Sequence, residues 1–225
     1  MTFSITGHCE DTDMFGVAIT TSSIAVGSRC PHARAGVAAV ATQNITDPVL
    51  ATLVFDLIEG GASAEEAVAQ VSAGREHIEY RQLMAVDRNG GVGHFTGEHI
   101  LGTNLVVPGP HYVAAGNLLS ANEVPKAMAA AFEASRGEHL AERLLLALEA
   151  GEAAGGEEGP VHSAGLLVHH EQPFALVDLR CDWADEGPIE KLRQLWTDYQ
   201  PQMQPYLDRA INPAVAPSYG VPGDE

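Results

Sequence analysis

Strands and helices in this chain come in blocks, and that order restricts the fold more than any single motif. Residues 3–8 alternate apolar and polar side chains, the strand period, and runs rich in β-formers follow at 15–21, 24–29 and 36–42. Asp47-Pro48 then opens a helix through Leu50, Leu53, Val54, Leu57 and Ile58, which Gly60-Gly61 ends. Ser63, with Glu66 three residues later, has the pattern of a capping box and starts a second helix to Gly74. Strands are expected at 80–86 and 91–96 about an Asn89-Gly90 hairpin turn, and at 100–107 and 111–116 about Pro108-Gly109-Pro110. Helices follow at 122–134 and 138–150, then a Gly/Glu loop at 151–159. Strands at 163–169 and 173–179 and a helix from Gly187-Pro188 complete the order.

Such blocks exclude a doubly wound parallel sheet, which needs strands and helices to alternate singly. They point to an α+β fold, a four-layer α-β-β-α sandwich of two antiparallel sheets. The stretch 36–42 has small residues on both faces, as a strand packed between two layers requires. One domain is expected over residues 1–205, with 206–225 as an extended proline-containing tail.

The charge balance narrows the partners. Thirty acidic against twelve basic residues give a formal charge of -18, which argues against a nucleic-acid or anionic-membrane partner. No apolar run approaches the ~18 residues of a membrane span, and no basic-then-apolar leader opens the chain. Cys9, Cys30 and Cys181 form no CxxC pair. The expectation is a cytoplasmic protein with reduced thiols. A dimer is the default assembly, since C2 pairs are the commonest oligomers.

No phosphate-binding glycine loop, dinucleotide fingerprint, HExxH or GxSxG occurs, so no cofactor and no metal are expected. The ten histidines repeat no ligand spacing. His94, inside an apolar strand, stands out among them. The densest polar cluster runs from Thr20 to Asp47 and holds Thr21, Ser22, Ser23, Arg34, Gln43 and Asn44. Polar groups at the ends of apolar strands are candidates to line a site. Arg34 suits a carboxylate, while Asp47 is also explained as a helix cap. Gly116-Asn117 ends a strand before a helical block, where an Asn amide and a backbone N–H can form an oxyanion hole. Finally, removal of Met1 would leave Thr2 with a hydroxyl and a free α-amine, a nucleophile with its own general base.

Five stretches, in order, carry a resemblance: MTFSI at 1–5, AVGSRCPHARAGVAAVATQ at 25–43, RQLMAVDRNGGVGHFTG at 81–97, AAGNLL at 114–119 and VDLRCDW at 177–183. They resemble the bacterial and archaeal family of domain of unknown function 1028, over about residues 1–200. The resemblance implies a fold like that of the N-terminal nucleophile (Ntn) hydrolases, which cut amide bonds with an N-terminal Thr, Ser or Cys. Thr2 is the matching position. Many relatives carry Ser-Lys where this chain has Ser22-Ser23. A lysine there would lower the pKa of the amine, and Arg34 is the candidate substitute.

The function expected on this basis is hydrolysis of a carbon–nitrogen amide-type bond in a small metabolite. Thr2 would attack, Asn117 would stabilise the oxyanion, and Ser22, Ser23 and His94 would position amine and water. Arg34, Gln43, Asn44 and Asp47 would bind substrate. Two rivals remain: a non-catalytic small-molecule or protein-binding domain on the same fold, and metal-assisted hydrolysis.

Overall fold

The computed structural model describes residues 2–220. Ten strands and five helices occur in chain order among them. The strands are β1 (Thr2–Cys9), β2 (Met14–Thr21), β3 (Pro31–Arg34), β4 (Ala38–Asn44), β5 (Arg81–Asp87), β6 (Val92–Thr96), β7 (Leu105–Gly109), β8 (Tyr112–Asn117), β9 (Ser163–His169) and β10 (Ala175–Cys181). The helices are α1 (Val49–Glu59), α2 (Ala64–Gly74), α3 (Glu123–Ala134), α4 (Leu140–Ala153) and α5 (Pro188–Ile211).

The strands form two sheets, both antiparallel throughout. One has six strands in the order β10-β9-β2-β1-β8-β7, and the other four in the order β3-β4-β5-β6. Three apolar clusters identify the layers. Phe3, Ile5, Met128, Phe132, Leu144, Leu148 and Trp196 pack between the six-stranded sheet and α3, α4 and α5. Val40, Leu50, Val54, Val68 and Leu83 pack between the four-stranded sheet and α1 and α2. Phe15, Val17, Ile19, Ala39, Ala41, Met84, Val113 and Ala115 fill the space between the sheets. This is the four-layer sandwich that the blocks imply. β4 shows why small residues stand at 36–42: Ala38 and Val40 face the helices while Ala39 and Ala41 face the other sheet. At Gly93 a Cβ would meet the Ala64 carbonyl oxygen at 2.1 Å, so only glycine lets α2 lie this close to β6.

Local signals set several elements as expected. Ser63 and Glu66 make the capping box of α2, and Gly90, at φ +76°, turns the β5–β6 hairpin. Three boundaries differ. The run 24–29 is not a strand: Ile24 is exposed, Ala25 is left-handed, and a single 3-10 turn covers Val26–Ser28. Strand β3 forms instead at Pro31–Arg34, inside the stretch read as a connection. The strand expected at 100–107 starts only at Leu105 and continues through Pro108, which an edge strand tolerates because its outer side forms no ladder. α5 runs on to Ile211, six residues into the expected tail, because Tyr199, Met203 and Leu207 keep a four-residue spacing onto the core. No described helix is long and apolar enough to cross a membrane. The three cysteines are free and buried.

Candidate functional site

All eight residues of β1 are buried, yet alternate ones are polar. Phe3 and Ile5 point to the helices, each fully buried and worth about 1.5–3 kcal/mol. By strand geometry Thr2, Ser4, Thr6 and His8 therefore point into the space between the sheets. Buried polar groups need partners; Thr2 and Ser4 find theirs at one end of the sandwich and His8 at the other, while the Thr6 hydroxyl has none among the described residues.

At the first of these ends Thr2 lies between Thr21 of β2 and Asn117 of β8, each its direct partner across the sheet. The Thr2 and Thr21 hydroxyl oxygens are 3.2 Å apart. Beneath them Gln82 Nε2 points to the Gly116 carbonyl at 3.4 Å. A carbonyl only accepts, so Gln82 must turn its Oε1 the other way. That oxygen accepts from Gln43 Nε2 at 2.7 Å and from Asn117 Nδ2 at 3.2 Å. Gln43 Oε1 is then left to accept from the Ser4 hydroxyl at 2.7 Å. One backbone carbonyl thus orients three side-chain amides across both sheets. Asn117 Oδ1 is buried with no hydrogen-bond partner among the described residues, and its second amide hydrogen is uncommitted to this network.

Glu157 completes this end. Its backbone bridges Leu119, just past β8, and the Ser22 backbone N–H lies beside its carboxylate, just past β2. It therefore sits over the end of β1, which runs between those strands. Only 7% of it is exposed, and neither carboxylate oxygen has a hydrogen bond of good geometry. Burial pushes its pKa up to about 8, against weaker pulls from the positive amino terminus and the Ser22 N–H.

The sequence candidates divide in space. Thr2 and Asn117 are direct partners across the sheet, and Gln43 is joined to Asn117 through Gln82. Ser22 and Ser23 follow Thr21 at the same end, where the Ser23 hydroxyl accepts from Arg29 at 2.9 Å and its carbonyl accepts from Ser163 Oγ at 2.6 Å. Asn44 ends β4 there at φ +71°, donating to the Tyr80 carbonyl at 2.9 Å and accepting from Leu101 N at 3.4 Å. It borders an open, largely apolar groove of about 780 Å³ between Ile45, Tyr80 and Leu101. His94 is exposed on the edge strand β6, two residues further along the sheet than Thr96, whose hydroxyl is 3.5 Å from Gln82.

The other two candidates are engaged elsewhere. Asp47 accepts from Val49 N at the start of α1 and holds Arg75 at 2.7 Å. Arg34 pairs with Glu59 at 2.7 Å and Asp56 at 3.4 Å and lies over the Phe55 ring, on the helical side of the four-stranded sheet. Its register partner Ala38 is five residues along β4 from Gln43, about 16 Å at strand rise. The structure does not bring Arg34 to Thr2, so it cannot stand in for the missing lysine.

Sequence reasoning missed Gln82, which sits alone in an apolar strand, and Glu157, which hides in a Gly/Glu loop. The signal for Gln82 was its place: an inward-facing polar residue in a strand buried on both sides. At the opposite end of the inter-sheet space His8 contacts Asp13 at 3.0 Å and His111 at 3.1 Å, and burial lowers its pKa. Among the described residues no three His, Cys, Asp or Glu side chains are placed to hold a metal ion.

The model of a family of unknown function, DUF1028, matches residues 2–192. The chain belongs to this family. The crystal structure of protein SPO2555 from Silicibacter pomeroyi, which matches the same family model, is 32% identical with a TM-score of 0.81; the match covers 88% of this chain and 89% of that one. Fainter likenesses lead to Anbu (ancestral beta-subunit) from Yersinia bercovieri, at 10% identity and TM-score 0.42 over 90% of this chain and 96% of that one, and to an Anbu mutant from Hyphomicrobium sp. strain MC1, at 12% and 0.39 over 92% and 100%. No curated protein matches.

Proposed function

We propose that this protein is a hydrolase of the N-terminal nucleophile type, which cleaves a carbon–nitrogen amide-type bond of a small molecule after Met1 is removed. The observation that supports it is the position of Thr2. It is the first residue of a central strand, flanked across the sheet by Thr21 and Asn117 and underlain by three oriented amides. In the mechanism, Thr2 Oγ attacks the substrate carbonyl. Its proton passes, directly or through a water, to the Thr2 α-amine and from there to the leaving amine as the C–N bond breaks, which leaves the acyl group as an ester on Thr2 Oγ. A water, deprotonated by the same amine, then attacks that ester, releases the acid and returns the proton to Oγ. Asn117 has one amide hydrogen committed to Gln82. Its other hydrogen serves the oxyanion, and its free Oδ1 accepts from an N–H of the neutral amine. Thr21, 3.2 Å away, fixes the rotamer of the nucleophile.

The N-terminal peptide of protein purified from its native source should have the mass of a chain beginning at Thr2. That processed chain is then incubated with a panel of small amides and assayed for released amine. Thr2→Ala should remove turnover and Thr2→Ser should retain part of it. Full activity in Thr2→Ala, or quantitative retention of Met1 in an active protein, would refute the mechanism.

A further inference from the structure

We propose that the groove between Ile45, Tyr80 and Leu101 is a binding site for an amphiphilic carboxylate, an apolar chain or ring bearing one carboxylate, and that Arg81 is its counter-charge. The inference concerns binding only and stands apart from the hydrolase reading.

The groove is built from the ends of strands. Asn44 ends β4 in the left-handed region and directly faces Arg81, the first residue of β5. Beyond them Ile45 N donates to the Tyr80 carbonyl at 3.4 Å, and the Leu101 carbonyl accepts from Leu118 N at 2.9 Å. The walls are thus tied to both sheets, and between them lies about 780 Å³, the room for a small molecule. Ile45, Tyr80 and Leu101 leave 41–50% of their surface exposed around it. Single apolar side chains at a surface are ordinary, but three that converge on one groove make a surface for an apolar ligand.

The charge of the groove is the reverse of the chain's. Acidic residues outnumber basic ones by thirty to twelve, yet no Asp or Glu lines the groove among the described residues, while Arg81, His77 and His99 do. The histidines have carboxylates of their own within 4.0 Å, Glu76 and Glu79 beside His77 and Glu98 beside His99. Arg81 makes no ion pair among the described residues. Its Nη1 donates to the Ile45 carbonyl, and its Nε is buried without a partner. Its Nη2 has no partner among them either and is not shut off from solvent. The bond to Ile45 holds the guanidinium in place, so a ligand need not order it. One positive charge with one free nitrogen matches a carboxylate and falls short of the donors that a phosphate dianion takes.

The test is calorimetric titration of the protein with hexanoate and phenylacetate, against acetate, hexanol, hexylammonium and hexyl phosphate. The two amphiphilic carboxylates should bind, and acetate, hexanol and hexylammonium about tenfold more weakly or not at all. Arg81→Met, which keeps the apolar stem and removes the charge, should weaken both carboxylates about tenfold or more. Leu101→Ser, at an exposed position, should weaken them about fivefold and leave the melting temperature unchanged. Thr2→Ala should bind them as the wild type does, so loss of the hydrolase reading and loss of this site are told apart. No saturable binding of either carboxylate at millimolar concentration would overturn the proposal. So would undiminished binding in Arg81→Met, equal binding of hexanol, or tighter binding of hexyl phosphate than of hexanoate. A dimer in sedimentation that Leu101→Ser dissociates would assign the groove to a second copy of the chain, and would overturn it equally.

Discussion

Glu157 makes a stability prediction that does not depend on any ligand. In the unfolded chain its carboxyl titrates near 4.5, and in the folded protein burial raises it to about 8. Below pH 4.5 both states hold the proton and the residue is neutral to stability. Between 4.5 and 8 the folded state binds the proton that the unfolded state has released, so stability falls as pH rises, by about 1.4 kcal/mol per pH unit. By pH 7 the accumulated cost is about 3 kcal/mol, and it levels off above pH 8. Glu157→Gln keeps the shape and removes the proton linkage. Thermal unfolding followed by circular dichroism should therefore show the variant melting about 6–12 °C above the wild type at pH 7, and level with it at pH 4. The gap should widen from pH 5 to pH 8. A gap of the same size at every pH, or none at pH 8, would show that Glu157 ionises freely in the folded protein, and the reasoning from its burial would fail.

Three further outcomes follow from particular contacts. Gln82→Leu removes the acceptor shared by Gln43 and Asn117; stranding two buried donors should cost about 2–4 kcal/mol in urea unfolding, and a cost below about 0.5 would mean the amide chain is not formed. Arg193 bridges Glu142 and Glu149 at 2.7–2.9 Å and thereby fastens α5 to α4. Arg193→Ala should cost about 1–2 kcal/mol and speed hydrogen exchange in α5 before α4; equal protection of both helices would contradict it. Burial, and after it the hydrogen bond that Tyr112 donates to Glu133 at 2.6 Å, pushes the Tyr112 pKa up to about 12. In a spectrophotometric titration Tyr112→Phe should remove a step near pH 12, and loss of a step near pH 10 instead would show that the hydroxyl is free.

The blocks of strands and helices were legible because each element's period is local. So were the capping box at Ser63 and the Asn89-Gly90 turn, whose chemistry spans three or four residues. β3 and β7 were misplaced because their limits depend on partners. Ile24-Ala25-Val26 reads as a strand until it is seen that no strand is beside it, and Pro108 reads as a break until β7 is known to be an edge. The site divided in the same way. Thr2 and Asn117 were found separately, but their pairing joins residues 115 positions apart and no local pattern carries it. Arg34 attracted a role because a lone guanidinium in an acidic chain invites one; the structure gives it to two carboxylates of α1 instead.

β1 itself marks where the reading could have gone further. Alternation is ordinarily taken as core on one face and water on the other. Here both faces are buried, and the polar face meets a second sheet. In a sandwich that reading is available in advance, since a central strand of either sheet has no wet side. A polar position there can be satisfied across the gap by a polar residue at an inward position of a facing strand, as Ser4 is by Gln43. That condition picks out Gln43 and Gln82, which break the apolar inward rows of β4 and β5 at the same end as Thr2. It also explains why Glu157 escaped. It comes from a loop that closes over the strand ends rather than from a facing strand, so no periodicity governs it, and only the geometry of Leu119 and Ser22 brings it there.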